Sequence, residues 1–124
     1  QMLLGAIQNA DLIEELGSQI GRQCNAMGIH INFAPVIDVN NNPKNPVINN
    51  RSFGEVKENV AQLGVAYMVG MQKHKVLACG KHFPGHGLVS GDTHKSLQMI
   101  DGELKEIKNP SPAQLQLRQA WINP

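Results

Sequence analysis

The sequence predicts an α/β fold built around a parallel sheet, and three observations lead there. Helical apolar periodicity over 9–27 is followed at once by a nearly unbroken apolar run, "IHINFAPVIDV", over 29–39; a strand that is hydrophobic on both faces belongs in a parallel sheet covered on both sides. The order helix, strand, long loop then repeats. The residues with chemical reach cluster in the two loops that leave the strand ends, where α/β folds place their sites.

Each element has its own warrant. Asn9 or Asp11 can cap the first helix, Leu12, Ile13, Leu16, Ile20, Cys24 and Met27 recur at helical spacing, and Gly28 ends it. The segment "NNNPKNPVINNRSFG" is dense in Asn and Pro, which predicts a long loop over 38–54; a loop of that length in a compact domain usually has a function. A second helix is predicted over 56–74, with Val60, Leu63, Tyr67 and Met71 on one face, and "KVLACGKHF" returns as a short buried strand. The second loop covers 81–95. Beyond Leu97 the pattern weakens to one short helix over 113–121, capped by Ser111 with Pro112 in its first turn.

Composition narrows the function classes. At 124 residues the chain is one domain at most, able to bury roughly two-thirds of its unfolded surface. Eleven basic against ten acidic residues leave a net charge of +1 with no basic run, which argues against nucleic acid or an anionic membrane as partner. No apolar stretch approaches the roughly 20 residues of a membrane span. "QMLLGAIQNADL" has no basic region before its apolar run and no cleavage pattern, so it does not read as a signal peptide. With Gln rather than Met at position 1, processing or excision from a longer chain is the expectation. Cys24 and Cys79 sit in apolar patterns and read as buried free thiols rather than a disulfide.

The stretch "KHFPGHGLVSGDTH", residues 81–94, holds three of the five histidines. His82, His86 and His94 with Asp92 could ligate zinc, but Pro-Gly between His82 and His86 breaks the helix that their spacing would need. Acid/base chemistry is the other reading: Asp92 lies two residues before His94, and a carboxylate within reach of an imidazole fixes its tautomer and stabilises its charged form. Equally, Asp92 could start a turn and His94 be solvated. Lys81 and His82 at a strand end, with the forked donor Arg51 on the other loop, suit sugar hydroxyls or a carboxylate. A salt bridge from Arg51 to Glu55 or Asp38 is the alternative use of that guanidinium.

Together, "INFAPVIDV", "NRSFGE", "KHFPGHG" and "DTH" resemble the bacterial β-N-acetylglucosaminidases of glycoside hydrolase family 3. The order matches, and so does the spacing: thirty residues from Arg51 to Lys81, eleven more to Asp92 and two more to His94. The resemblance covers about 9–100 and implies that 1–124 is part of a (β/α)₈ TIM barrel, two or three of its eight βα units. It implies that Arg51, Lys81 and His82 hold a non-reducing N-acetylglucosamine, and that His94, supported by Asp92, is the general acid/base. Asp38 is expected to be structural or to order Arg51. No metal or other cofactor is implied, and cytoplasm and periplasm are both compatible. A histidine, uncharged when it acts as base, also repels phosphate less than a carboxylate would, which keeps phosphorolysis open beside hydrolysis.

The resemblance has gaps. The family's nucleophile is an aspartate on a late barrel strand, and Asp101, the only aspartate after His94, comes too soon to match it. Gln98 stands where the family usually has proline. Retaining hydrolysis needs both a nucleophile and an acid/base, so the 124 residues alone are expected to be inactive, and to require further barrel segments or self-association to cover an open sheet. The alternatives are a non-catalytic module that binds an amino sugar or completes a partner's barrel, and a zinc hydrolase built on His82, His86 and His94.

Overall fold

The structure is a computed structural model, and it describes residues 1–83 and 85–97. The helix expected over 113–121, Gln98 and Asp101 lie outside the described residues. Among the described residues, three helices, α1 (Met2–Ile7), α2 (Ala10–Ala26) and α3 (Lys57–Gln72), accompany two short strands, β1 (Ile31–Asn32) and β2 (Leu77–Ala78), with a 3₁₀ turn at Asn49–Arg51.

The two long helices follow their sequence signals closely. Asn9 caps α2, its Oδ1 accepting from the Leu12 N–H at 3.0 Å, which supplies one of the donors that a helix start leaves unpaired. Gly28, at φ +74°, takes the chain out of the helix. All four residues assigned to the apolar face of α3 are buried, and so are Met68 and Gly70. On α2 the buried stripe is Ile13, Gly17, Gly21 and Cys24, whereas Leu12 and Met27 are exposed, contrary to expectation. The reason is the approach of the helices. A Cβ on Gly17 would lie 2.3 Å from the Tyr67 carbonyl oxygen, and one on Gly70 2.0 Å from that of Glu14. Glycine allows these backbones to touch, and the contact turns the Gly17–Gly21 side of α2 inward.

Helix α1 was not anticipated from the pattern. It packs against the 3₁₀ turn: the N-terminal ammonium donates to the Asn50 carbonyl at 3.0 Å, and Gly5 sits against the Phe53 backbone.

The strands are parallel, Ile31 opposite Leu77 and Asn32 opposite Ala78, and α3 forms the crossover between them. They are far shorter than the apolar runs suggested. Pro35 follows a cis peptide bond and has no N–H for a ladder. A second parallel link joins Val36 to Lys81, so the first segment carries one more residue than the second between the links. Single hydrogen bonds continue the pairing, including Lys81 N–H to Pro35 O at 3.0 Å and Ile37 N–H to Lys81 O at 2.7 Å.

The core lies between this sheet and the helix pair, with Ile13, Phe53, Val60, Met68, Met71 and Val76 almost wholly buried. Cys24 is buried and Cys79 half-buried, both as free thiols. The opposite face of the sheet carries Ile29, Ile31, Phe33 and Leu77, each at least 40% exposed. Alternation along a strand puts these on the side away from the helices. Among the described residues no helix is long and apolar enough to cross a membrane.

Candidate active site

The site grows from Asp38, two residues beyond the Val36–Lys81 link. Its side chain is 0% exposed, and burying a carboxylate is costly unless donors meet it. Three do. Oδ2 accepts from the His82 backbone N–H at 3.0 Å and faces His82 Nδ1 at 2.6 Å, while Oδ1 accepts from the His86 N–H. One carboxylate thus holds both His82 and His86. With Nδ1 committed to Asp38, Nε2 is the nitrogen that His82 has left to offer.

Asp38 is structural, as expected, but it orders the second loop rather than Arg51. The Arg51 Nη1 donates instead to the Val47 carbonyl at 3.0 Å, within its own loop. Among the described residues Arg51 makes no ion pair, with Glu55 or with Asp38. The cause is local: the Arg51 guanidinium is engaged by the Val47 carbonyl, and His82 and His86 occupy the Asp38 oxygens.

The asparagine-rich loop is a fastener. Asn45, buried, donates from Nδ2 to the His86 carbonyl at 2.6 Å and accepts at Oδ1 from the Val47 and Ile48 N–H groups at 2.8 and 2.9 Å. Asn42 Nδ2 reaches the Leu88 and Val89 carbonyls at 3.0 and 3.2 Å. The Ser52 hydroxyl donates to the Asp38 carbonyl at 2.6 Å. Short amide side chains substitute for backbone partners where no ladder exists. Sequence reading flagged the composition of this loop but missed the roles of Asn42, Asn45 and Ser52.

Asp92 and His94 do meet. Asp92 Oδ1 accepts from the His94 backbone N–H at 3.0 Å and lies 2.9 Å from His94 Nδ1. These bonds, the backbone one first, hold the Asp92 carboxyl below its ordinary pKa. The His94 side chain is 88% exposed, so the readings of a dyad and of a solvated turn are both satisfied in geometry. The residue between them, Thr93, places its Oγ1 3.2 Å from Nε2 of the buried His86.

Lys81 sits in the parallel link with its backbone on both sides engaged, and His82 follows it after a cis peptide bond. Lys81, His82 and Arg51 therefore occupy two loops fastened to each other, without hydrogen bonds among the three. His82 and His86 have ring centroids 5.7 Å apart, but among the described residues no three His, Cys, Asp or Glu side chains gather to hold a metal ion. The zinc set of His82, His86 and His94 is not assembled. An open cleft of about 400 Å³ adjoins the first loop, lined by Asn40, Asn41, Pro43 and Glu55, none of them among the site residues that the sequence singled out.

A parallel βαβ unit with its polar residues on the loops at one sheet end is a building block of α/β barrels and of open α/β sheets alike. Residues 1–116 match the glycosyl hydrolase family 3 N-terminal domain, and the chain belongs to that family. It is 45% identical over 93 residues to beta-hexosaminidase A of Pseudoalteromonas piscicida, covering 75% of this chain and 16% of that protein. It is 41% identical over 103 residues to the beta-hexosaminidase of Neisseria meningitidis, covering 80% and 28%. A family 3 beta-N-acetylglucosaminidase from Paenibacillus sp. strain FPU-7 superimposes with a TM-score of 0.85 at 41% identity, over 96% of this chain and 22% of that one. The chain thus spans less than a third of each of these relatives, as a portion of the α/β barrel. The helices form the outer layer of such a barrel, so the uncovered face of Ile29, Ile31, Phe33 and Leu77 is the one that barrel closure turns inward.

Proposed function

We propose that the protein containing this chain removes terminal β-linked N-acetylglucosamine by retaining hydrolysis. The observation that carries the reading is the Asp92–His94 pair, set two residues apart on the loop that Asp38 and Asn45 fasten to the rim. In this scheme Arg51, Lys81 and His82 hold the sugar. His94 gives its proton to the departing glycosidic oxygen as a carboxylate attacks the anomeric carbon, then takes a proton from the water that releases the sugar. Asp92, kept ionised by its bonds to His94, fixes the ring and stabilises the imidazolium. The attacking aspartate is expected on a later barrel strand.

Turnover of an aryl β-N-acetylglucosaminide by the full-length protein, with release of the β-anomer, is the expected result; release of the α-anomer, or no turnover, would refute the reading. Residues 1–124 expressed alone should show no appreciable turnover, because the two-step path has no nucleophile there. The apolar sheet face supports completion by further barrel segments, of the same chain or of a partner copy. Phosphorolysis would show itself as sugar 1-phosphate when inorganic phosphate is added.

A further inference from the structure

The bonds between Asp92 and His94 are internal to their own turn, and nothing in them fixes where that turn stands relative to the rim. One attachment comes from the residue between them. Thr93 Oγ1 lies 3.2 Å from His86 Nε2, and His86 is among the most firmly held residues of the loop. Its N–H is given to Asp38 and its carbonyl is taken by Asn45, and only 8% of its surface is exposed.

The other ring nitrogen, Nδ1, is buried and has no partner among the described residues. Orphaned buried N–H groups are rarer in folded proteins than buried acceptors without a donor. The proton therefore belongs on Nε2, which makes His86 the donor and Thr93 the acceptor.

We infer that the His86–Thr93 hydrogen bond is a clasp that positions the Asp92–His94 pair on the rim, and that His86 and Thr93 are positioning residues for the reaction proposed above. The inference rests on that reading for its catalytic consequence, but its geometry can be tested without it.

The test uses the full-length protein with Thr93→Val, which keeps the branched shape and removes the hydroxyl, and Thr93→Ser, which keeps the hydroxyl. Thr93 is exposed, so neither substitution disturbs the core. Nitrogen-15 NMR should find the wild-type His86 as the Nε2–H tautomer, with that proton slowed in exchange by wild-type Thr93 and by Ser but not by Val. On chitobiose, whose leaving oxygen needs a proton, kcat should fall about tenfold in the Val variant, as small misplacements of a reacting group do, and return in the Ser variant. KM should stay within about twofold, because ground-state binding does not use the clasp. An Nδ1–H tautomer, or a Val variant indistinguishable from wild type in both exchange and kcat, overturns the inference. If the wild type shows no turnover, the glycosidase reading fails and the NMR result alone decides whether the clasp exists.

Discussion

Asp38 and His82, 44 residues apart in sequence, share two contacts to one carboxylate oxygen: the His82 backbone N–H at 3.0 Å and its Nδ1 at 2.6 Å. That relationship ties the end of the first strand to the turn after the second. It converts two loops into one rim.

Replacing Asp38 by Ala leaves the backbone N–H groups of His82 and His86 without their acceptor. Each buried donor left unpaired costs about 1–3 kcal/mol, so Asp38→Ala should destabilise the full-length protein by about 3 kcal/mol. Denaturant titration with an unchanged m-value checks this; a loss below about 1 kcal/mol would mean water reaches these groups.

Asn45→Asp is nearly isosteric but cannot donate to the His86 and Gly87 carbonyls, both of which Asn45 Nδ2 reaches. It should cost about 2–3 kcal/mol and speed amide exchange over 85–90, because an acceptor then faces acceptors in a buried place. Asn42→Asp should behave similarly but more mildly, since part of its contact set is exposed.

The α2–α3 contact predicts asymmetric glycine effects. Gly17→Ala places a Cβ 2.3 Å from the Tyr67 carbonyl, and separating the helices should cost about 2–3 kcal/mol. Gly28→Ala meets nothing within 4 Å but must hold φ at +74°, so about 1 kcal/mol is expected from backbone strain alone. Thermal melts of both variants should rank them in that order.

Two groups give the chain opposite pH limits. Burial, with a smaller contribution from Cys24, raises the Tyr67 pKa above 10.0. Its stabilising contribution is complete below about pH 10.0 and is lost as pH rises through the raised folded value, because the unfolded state gives up the proton first. Tyr67→Phe should flatten that alkaline decline. The Asp92 carboxyl is lowered from 3.8, so the turn it forms with His94 persists above that pH and opens only as pH falls through the lowered value. Carbon-13 NMR of the Asp92 carboxyl would follow this directly.

Much of the helix layer was legible because periodicity and capping are local. Asn9, Val60, Leu63, Tyr67 and Met71 do what their spacing implies. The inward turn of Gly17 and Gly21 was not, since a hydrophobic pattern gives glycine no weight and the contact depends on the facing helix. Strand lengths were overread because an apolar run records burial, while the ladder itself is interrupted at Pro35. In the site, the adjacency of Asp92 and His94 was visible at a spacing of two. The attachments of Asp38 to His86, of Asn45 to His86 and of His86 to Thr93 join residues up to 48 positions apart, and no local pattern announces them.

The most direct measurement is the leaving-group dependence of His94→Ala in the full-length protein. A substrate whose leaving oxygen needs a proton, such as chitobiose, should lose about 10²–10⁴-fold in kcat/KM. An aryl glycoside with a strongly acidic phenol, whose departure needs no proton, should change little. Equal losses on both substrates, or none on either, would contradict the assignment of His94 as the acid/base.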